Sequence, residues 1–302
     1  MRRKLDAALL LDKPPGITSN AALQSAKRLY RAQKAGHAGT LDPLASGLLV
    51  VLFGEATKFA GPLLDAPKEY LARVRLGETT TTGDAEGETL ERRDVRLSAA
   101  EIESVLARFR GVVRQVPPMY SALKHGGRPL YKLAREGRSV ERQPREVEIH
   151  MLELLARDGA DLELRVRCSK GTYVRTLAED IGAALGVGAH LAALRRTAAG
   201  GMDLRRASTL DALQGLAEAE RDARLMPLGA LLADLPRLEL DEQQARRFCN
   251  GQRILLSGGG SGLCAVFGPQ QRVLGLGEHA AGGLLRPLRL VGRSPEEAQA
   301  AE

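Results

Sequence analysis

Aromatic residues are scarce in this chain of 302 residues, where they make up 3% of the composition and tryptophan is absent. A surface that stacks several bases on exposed rings, as in an RRM domain, is therefore not favoured. Long hydrophobic runs are also missing, since no apolar stretch approaches the roughly 20 residues that a membrane-spanning helix needs. The apolar stretch after Arg2, Arg3 and Lys4 is too short for a signal-peptide core. We therefore expect a cytoplasmic protein without a membrane partner.

Cysteine is equally rare. Cys168, Cys249 and Cys264 are an odd number of thiols and include no C-x-x-C pair, and the five histidines include no H-x-x-x-H pair. Disulfide frameworks and zinc sites both need closely spaced, repeated ligands. We therefore expect buried free thiols in a reducing compartment and no metal site.

Residues 36–47 form a polar loop that lacks two common catalytic motifs. The loop reads G-H-A-G-T-L-D-P-L-A-S-G, and the apolar run 48–53 after it predicts a buried strand. It contains no G-x-x-x-x-G-K-[ST], and Ser46 has no G-x-S-x-G around it, so a phosphate cradle and a hydrolase elbow are not favoured. Two alternatives remain for Asp42. It is either a nucleophile or general base, or the carboxylate of an ordinary glycine-rich turn.

Positive charge predominates over negative charge. The net charge is +7 and the isoelectric point is about 9.5, which favours a polyanionic partner. Residues 124–145 hold seven Lys and Arg against two Glu, a local balance of +5. This segment is either a solvated charged loop or an arm that contacts phosphates.

Hydrophobic periodicity predicts both strands and helices. Residues 68–76 alternate as a half-buried strand, and residues 147–154 and 162–168 are typical of a strand pair. Thr18, Ser19 and Asn20 offer N-caps for one helix, and the capping box Ser98-x-x-Glu101 predicts the start of another. Residues 189–196 are predicted to form a short helix. Asp234-Leu235-Pro236 indicates a boundary, and the short strands beyond it suggest a small β-barrel-like domain.

A resemblance emerges when the loop is taken together with residues 53–58, F-G-E-A-T-K. The two segments closely resemble the catalytic motif of the TruB family of tRNA pseudouridine synthases. Further segments are similar to family motifs in the same order: L-D-K-P-P-G at 11–16, K-E-Y at 68–70, T-x-T-G-D-x-E-G at 80–87, P-P-x-Y-S-A-L-K at 117–124, L-Y-x-x-A-R-x-G at 130–137, S-K-G-T-Y-V-R-T-L at 169–177 and L-R-R-T at 194–197. Residues 244–287 resemble a PUA domain. Ser46 stands where threonine is common, which keeps the hydroxyl.

The resemblance implies an α+β fold with a mixed, largely antiparallel pseudouridine-synthase sheet flanked by helices. It implies a catalytic domain over residues 1–233 with a basic, RNA-gripping, thumb-like insert at about 118–145. A PUA-like domain would follow at 234–293, and 294–302 would be a disordered tail. The implied reaction converts uridine 55 in the T loop of tRNA to pseudouridine by base flipping, C1′–N1 cleavage and C1′–C5 rejoining. No cofactor, metal or obligate protein partner is implied, and we expect a monomer that binds the T arm of tRNA.

The resemblance also implies roles for individual residues. Asp42 matches the catalytic aspartate, which acts either as a nucleophile or as a base at the sugar C2′. Arg175 matches the arginine that pairs with it, and we expect this cation to lower the pKa of Asp42. Tyr70 matches the tyrosine against the flipped base, and its hydroxyl is available for the proton step at C5. Asp84 would anchor the arginine.

A second set of residues is implied to bind the substrate. His37 is similar to the residue that enters the space left by the flipped base. Tyr173 and Leu194 match walls of the base pocket. Lys13 belongs to this set and also supports the catalytic loop, while Arg128 and Lys132 would contact RNA phosphates.

Three rival interpretations stay open. One is a relative guided by box H/ACA RNA, although the thumb-like insert and the short C-terminal tail favour an enzyme that acts alone. Another is an RNA-folding module without chemistry. The third, a carboxylate glycosidase, would need a second acid paired with Asp42, and the sequence shows no such pair.

Overall fold

The structure, a computed structural model, describes residues 1–121, 123–258 and 260–292. The tail predicted to be disordered lies outside these residues. Along the chain the strands are β1 (Ala7–Lys13), β2 (Ala35–Ala38), β3 (Ser46–Phe53), β4 (Lys68–Leu76), β5 (Glu78–Thr80), β6 (Thr89–Arg92), β7 (Gly111–Gln115), β8 (Lys124–His125), β9 (Arg128–Pro129), β10 (Arg145–Asp158), β11 (Asp161–Cys168), β12 (Ala189–Ala199), β13 (Met202–Asp203), β14 (Ser208–Thr209), β15 (Leu225–Pro227), β16 (Arg237–Glu239), β17 (Ile254–Leu255), β18 (Gly262–Phe267), β19 (Val273–His279) and β20 (Leu284–Leu290).

Short helices connect these strands: α1 (Ser19–Leu29), α2 (Ala60–Asp65), α3 (Ala99–Arg108), α4 (Leu130–Arg135), α5 (Val174–Ala184), α6 (Leu210–Gln214), α7 (Glu218–Asp222), α8 (Leu228–Leu231) and α9 (Glu242–Cys249). The predicted caps are present, because the Thr18 side chain accepts from the Ala21 N–H and Ser98 forms a capping box with Glu101. In the described part of the chain, no helix is long and apolar enough to cross a membrane.

The larger sheet contains parts of the segments that resemble the family motifs, including residues 11–13, 46–47, 68–70 and 194–197. Its main order is β14-β1-β3-β12-β4-β11-β10-β7, with β2 and β15 pairing at its side. The β12–β3 and β1–β14 pairs are parallel, and the other pairs in this sheet are antiparallel. The predicted α+β class with a mixed, largely antiparallel sheet is confirmed.

Strand β12 corrects the helix predicted over residues 189–196. Its alanines and leucines favour a helix by propensity. The segment nevertheless lies in the middle of the sheet, hydrogen-bonded to β4 on one side and to β3 on the other. Hydrogen bonding to a strand on both edges outweighs the helix preference of these residues, because tertiary contacts commonly override intrinsic propensity.

The loop predicted over residues 36–47 is also shorter in the structure. Residues 35–38 form β2, which pairs with β3, so the irregular segment begins at Gly39. His37 therefore lies on a strand rather than in the loop.

A second sheet, in the order β16-β18-β19-β20-β17, closes the described chain. It agrees with the short strands predicted for a small C-terminal β-barrel-like unit. Phe267 and Leu276 from this sheet pack in one apolar cluster with Leu10, Leu52 and Phe59 of the first part of the chain. The division at residue 234 stays a prediction, because this shared cluster is continuous across it.

The segment predicted as a thumb-like insert forms a β8–β9 hairpin followed by α4. Leu130 and Leu133 of α4 are buried, whereas its basic side chains lie on the outside. This amphipathic pattern fixes one face of the helix and leaves the cationic face to solvent.

Candidate active site

Asp42 lies in the loop between β2 and β3, and neighbouring elements hold that loop from both sides. The Ser19 hydroxyl accepts from the Leu41 N–H at 2.7 Å and donates to the Leu41 carbonyl at 2.9 Å. The Gly16 N–H donates to the Pro43 carbonyl at 2.8 Å. Asp42 is therefore flanked by two anchored residues, which restricts where its carboxylate can point.

Arg175 brings two carboxylates together. Its side chain is 4% exposed at the start of α5, and its Nη2 lies 3.0 Å from Asp42 Oδ2 while its Nη1 lies 3.5 Å from Asp84 Oδ2. The same nitrogens donate to the carbonyls of Thr82 at 3.2 Å and Tyr120 at 2.6 Å. The expected Asp42–Arg175 and Asp84–Arg175 contacts are both present, so one guanidinium serves two acids.

Arg175 lowers the pKa of Asp42 as expected, but the net shift of that pKa is upward. Burial raises the pKa of Asp42, the Arg175 guanidinium lowers it, and the nearby Asp84 carboxylate raises it, with a net rise from 3.8. The side chain is still 42% exposed toward the open cleft. Removal of water by the cleft walls therefore outweighs the attraction of a cation that is shared with a second acid.

A cavity of about 310 Å³, which we call the deep cavity, opens on one side of Asp42. Tyr70, Tyr173 and Leu194 line it together with Asp42 and Arg175. Burial raises the pKa of Tyr70, so its hydroxyl keeps its proton near neutral pH. The volume is typical of a site for one small ring system with a few polar contacts.

A second cavity of about 500 Å³, the flanking cavity, lies against the other side of the same loop. His37 and Tyr131 line it, and it shares Asp42 and Arg175 with the deep cavity. His37 Nδ1 is buried without a hydrogen-bond partner, and burial lowers the pKa of this imidazole. The ring is therefore neutral at pH 7 and suited to contact uncharged base edges or faces.

Comparison with known proteins matches almost the whole chain. The sequence profile of the TruB family pseudouridylate synthase N-terminal domain matches residues 27–174. Profiles of a tRNA pseudouridylate synthase B C-terminal domain and a pseudouridine synthase II TruB C-terminal region match 175–235 and 236–291. A tRNA pseudouridine synthase B of Burkholderia mallei (strain NCTC 10247) is 56% identical over 96% of this chain and 98% of its own length. The chain belongs to the TruB family of pseudouridine synthases.

Further relatives agree with this assignment. The tRNA pseudouridine synthase B of Azoarcus sp. (strain BH72) is 54% identical over 96% of both chains. Among solved structures, a chain of an H/ACA RNP bound to a substrate RNA containing 2′-deoxyuridine has a TM-score of 0.73 and 27% identity, covering 95% of this chain and 85% of that chain. A chain of the archaeal box H/ACA sRNP Nop10–Cbf5 complex has the same TM-score and 26% identity, with 95% and 86% covered.

Lys13 does not fit the substrate-binding set of this TruB-family chain. It is 0% exposed, and its Nζ donates to the carbonyls of Pro14, Ile17 and Pro43 at 2.8, 2.7 and 3.5 Å. Burial lowers its pKa to about 8. An ammonium group whose donors are used by backbone carbonyls cannot also reach a substrate. Lys13 therefore supports the residues next to Asp42, which was the other role expected for it.

Arg128 and Lys132 lie on the thumb-like segment and line neither cavity. Both are exposed, and Arg128 forms an ion pair with Glu136. The same segment does send two other side chains, Tyr131 and Arg135, to the flanking cavity. Sequence reasoning missed these two, although the motif at 130–137 contains both.

Arg196 and Lys68 also escaped sequence reasoning about the site. Both line the deep cavity although they are almost fully buried, and burial lowers the pKa of Lys68 to about 8. Both stand in motif segments, K-E-Y at 68–70 and L-R-R-T at 194–197, but their burial beside the cavity is not visible in the sequence. Among the described residues, no group of three or more His, Cys, Asp or Glu side chains is arranged to hold a metal ion.

Proposed function

We propose that this TruB-family enzyme converts uridine 55 in the T loop of tRNA to pseudouridine. The relatives named tRNA pseudouridine synthase B support tRNA as the substrate. The observation that carries the proposal is Asp42, which lies 3.0 Å from the buried Arg175 and lines a cavity of about 310 Å³. We propose that the protein acts as a monomer in the cytoplasm, without an obligate protein partner.

The reaction detaches uracil from C1′ and reattaches it through C5. The C1′–N1 bond breaks, the ring turns, the C1′–C5 bond forms, and the proton leaves C5 while N1 gains one. Asp42 starts this sequence in its ionised form, either by nucleophilic attack or by taking a proton from C2′. Arg175 holds the carboxylate in place and favours its charge, which is needed because burial opposes ionisation.

The target base must leave the stacked loop before it can reach Asp42. Flipping costs on the order of a few kcal/mol, which the pocket must offset. Tyr70, Tyr173 and Leu194 surround the base in the deep cavity, and the protonated Tyr70 hydroxyl serves the exchange at C5. His37, whose Nδ1 is buried and unpaired beside the flanking cavity, takes the place that the base leaves in the loop.

Binding rests mainly on the positive charge of the protein. Arg128, Lys132 and the other cations of the thumb-like segment contact RNA phosphates, and the C-terminal PUA-like unit extends the contact. Because such binding releases counterions from the RNA, affinity should fall steeply as salt is raised.

A direct assay tests the proposal. The protein is incubated with T-arm RNA and with full-length tRNA, without any added cofactor or guide RNA, and pseudouridine is mapped by base-specific chemistry. We expect one modified T-loop position with wild type, and none with Asp42→Asn, which should still bind RNA. Asp94→Asn is the matched control, because Asp94 is 87% exposed and lines neither cavity.

The rivals give different results in the same assay. Tight binding without product would contradict the proposal and indicate a guide-dependent relative or a folding factor. A folding factor would also keep its full activity on tRNA folding in the Asp42→Asn variant.

A further inference from the structure

Arg196 is a buried cation that the proposed chemistry has not yet used. It is 1% exposed, and it is the largest side chain among those buried to this degree. Within the described parts of the chain, no carboxylate lies within the 4.0 Å of its guanidinium that an ion pair requires. Burying a charge without an acidic partner is costly unless its donors are used in another way.

The guanidinium donors are used by the two ends of the catalytic loop. Nη2 donates to the Gly39 carbonyl at 3.1 Å, and Nε donates to the Leu48 carbonyl at 2.6 Å. Asp42 lies between these two residues. A single side chain therefore ties together the points where the loop leaves β2 and enters β3.

The loop backbone closes tightly around Arg196. Gly47 pairs with Arg196 in the parallel β12–β3 ladder, and a Cβ on Gly47 would lie 2.3 Å from the Arg196 carbonyl oxygen. A Cβ on Gly39, which has a φ of +94°, would lie 3.3 Å from Arg196 Nη1. The two glycines thus allow a close approach that side chains would prevent.

Arg196 also contacts the other reactive side chain. It is the antiparallel partner of Tyr70 across β12 and β4, so the two side chains lie on the same face of the sheet. Burial raises the pKa of Tyr70, and the positive charge of the nearby Arg196 guanidinium opposes this rise. Both side chains line the deep cavity.

We propose that Arg196 is a positioning residue that sets Asp42 and Tyr70 relative to each other. It holds the loop of Asp42 through the Gly39 and Leu48 carbonyls, and it keeps its guanidinium beside Tyr70, its cross-strand partner, at the wall of the same cavity. This inference rests on the proposed pseudouridine synthesis, in which both side chains act on the same base.

The geometry requires arginine rather than any cation. The planar guanidinium offers five N–H donors in a fixed fork, so it can serve two separate carbonyls while its charge stays beside Tyr70. A lysine ammonium keeps the charge but not this arrangement, and a glutamine keeps only two donors. Both substitutions should therefore disturb the loop and Tyr70 together.

The test measures single-turnover rates with T-arm RNA for Arg196→Lys and Arg196→Gln. We expect each rate to fall about 10²-fold, because a misplacement of about 1 Å has that effect on a reacting pair. RNA affinity should stay within about threefold of wild type, since Arg196 is too buried to bind phosphates. Arg96→Lys and Arg96→Gln are matched controls with wild-type rates, because Arg96 is 88% exposed and lines neither cavity.

A double-mutant cycle with Tyr70→Phe separates positioning from general loss of structure. If Arg196 acts through the Tyr70 hydroxyl, Arg196→Lys should slow the Tyr70→Phe variant much less than it slows wild type. Equal fold losses in both backgrounds would overturn the link to Tyr70. If the Arg196 variants do not fold, Gly39→Ala places a Cβ 3.3 Å from Arg196 Nη1 at a residue with a φ of +94° and so perturbs the loop side of the guanidinium. It should then show a rate loss with the same dependence on Tyr70.

The outcomes are distinguishable from failure of the proposed function. A wild-type protein that makes no pseudouridine would contradict the function itself. The inference would be overturned if the wild-type protein is active and the folded Arg196 variants, or the Gly39→Ala variant, react at the wild-type rate.

Discussion

Asp42 experiences two opposed electrostatic effects, and their balance sets the pH range in which it can act. Burial raises its pKa above 3.8 and Arg175 opposes this rise. Asp84 shares the same guanidinium and repels the Asp42 charge. Arg175 therefore favours the ionised form of Asp42, which the proposed reaction needs, whereas burial and Asp84 disfavour it.

This balance predicts a pH dependence. Since Asp42 must be ionised, the single-turnover rate should fall as the pH is lowered through its pKa, at a pH above the ordinary value of 3.8. Arg175→Gln removes the favourable cation, so the acid limb should move to higher pH. The rate is measured at each pH, and circular dichroism checks at each pH that the protein is folded. Arg96→Gln is the control, because the Arg96 side chain is 88% exposed. If Arg175→Gln leaves the acid limb of the pH profile at the same pH, this account is contradicted.

Lys13 gives a prediction about stability. Lys13→Ala leaves three partly buried carbonyls without their donor, and a hydrogen bond to a charged group contributes roughly 1.5–3 kcal/mol. We expect the free energy of unfolding to drop by about 2–3 kcal/mol, measured by urea denaturation, while turnover at a permissive temperature survives. The exposed Lys4→Ala should change neither. Wild-type stability together with abolished turnover in Lys13→Ala would show that Lys13 acts in the chemistry instead.

At the scale of elements, the thumb-like segment combines a buried and a cationic face. Leu130 and Leu133 anchor α4, and Arg128 and Lys132 point outward without lining either cavity. Tyr131 and Arg135 of the same helix reach the flanking cavity. The segment can therefore hold RNA from outside while one turn of its helix contacts the site.

The cationic face predicts a salt effect. The double variant Arg128→Ala/Lys132→Ala should bind T-arm RNA more weakly, and the slope of log affinity against log salt should become shallower by about 1.5, because each phosphate contact contributes roughly 0.7–0.9. The rate at saturating RNA should stay unchanged, as measured in single turnover. Arg96→Ala/Arg108→Ala removes the same charge from exposed positions of another region. Equal slopes for both double variants would argue against a specific phosphate contact by the thumb.

For the whole molecule, the apolar cluster that spans the two sheets is the main link. Phe267 and Leu276 of the second sheet pack with Phe59 and Leu10 of the first part of the chain. Two polar contacts add to it, because the Lys58 Nζ donates to the Leu290 carbonyl at 2.9 Å and the Gly292 N–H donates to the Glu55 carboxylate. The motif F-G-E-A-T-K at 53–58 thus joins the two sheets as well as following the catalytic loop.

A shared core predicts joint unfolding. Phe267→Ala should lower the stability of both sheets together by about 3–5 kcal/mol, because it leaves a cavity in the common cluster. Scanning calorimetry should show one transition, shifted to lower temperature. Leu255→Ala, from the same sheet but 73% exposed, should have almost no effect. A separate early transition of the second sheet, with the main transition unmoved, would show that the sheets unfold independently.

Some of the fold could be predicted from local pattern alone. Strand β4 begins and ends where the alternation of residues 68–76 begins and ends, and the β10–β11 pair and the two capped helices were predicted as well. Strand β12 could not be predicted, because its alanines and leucines favour a helix and only the neighbouring strands decide its conformation. Similarly, the sequence predicts a loop at His37, because the four residues of β2 are too few to show an alternation that would indicate pairing with β3.

The family, the loop that carries Asp42 and the chemistry that this loop suggests can all be inferred from the sequence, because motif residues and side-chain alternation are local properties. Which charged groups meet, and how deeply they are buried, depends on the tertiary structure. Arg175, Asp42 and Asp84 come together through the packing of α5 against loops from distant parts of the chain. The sign of the Asp42 pKa shift and the burial of Lys13 and Arg196 follow from that packing, since desolvation depends on every neighbour and not on the residue's own segment.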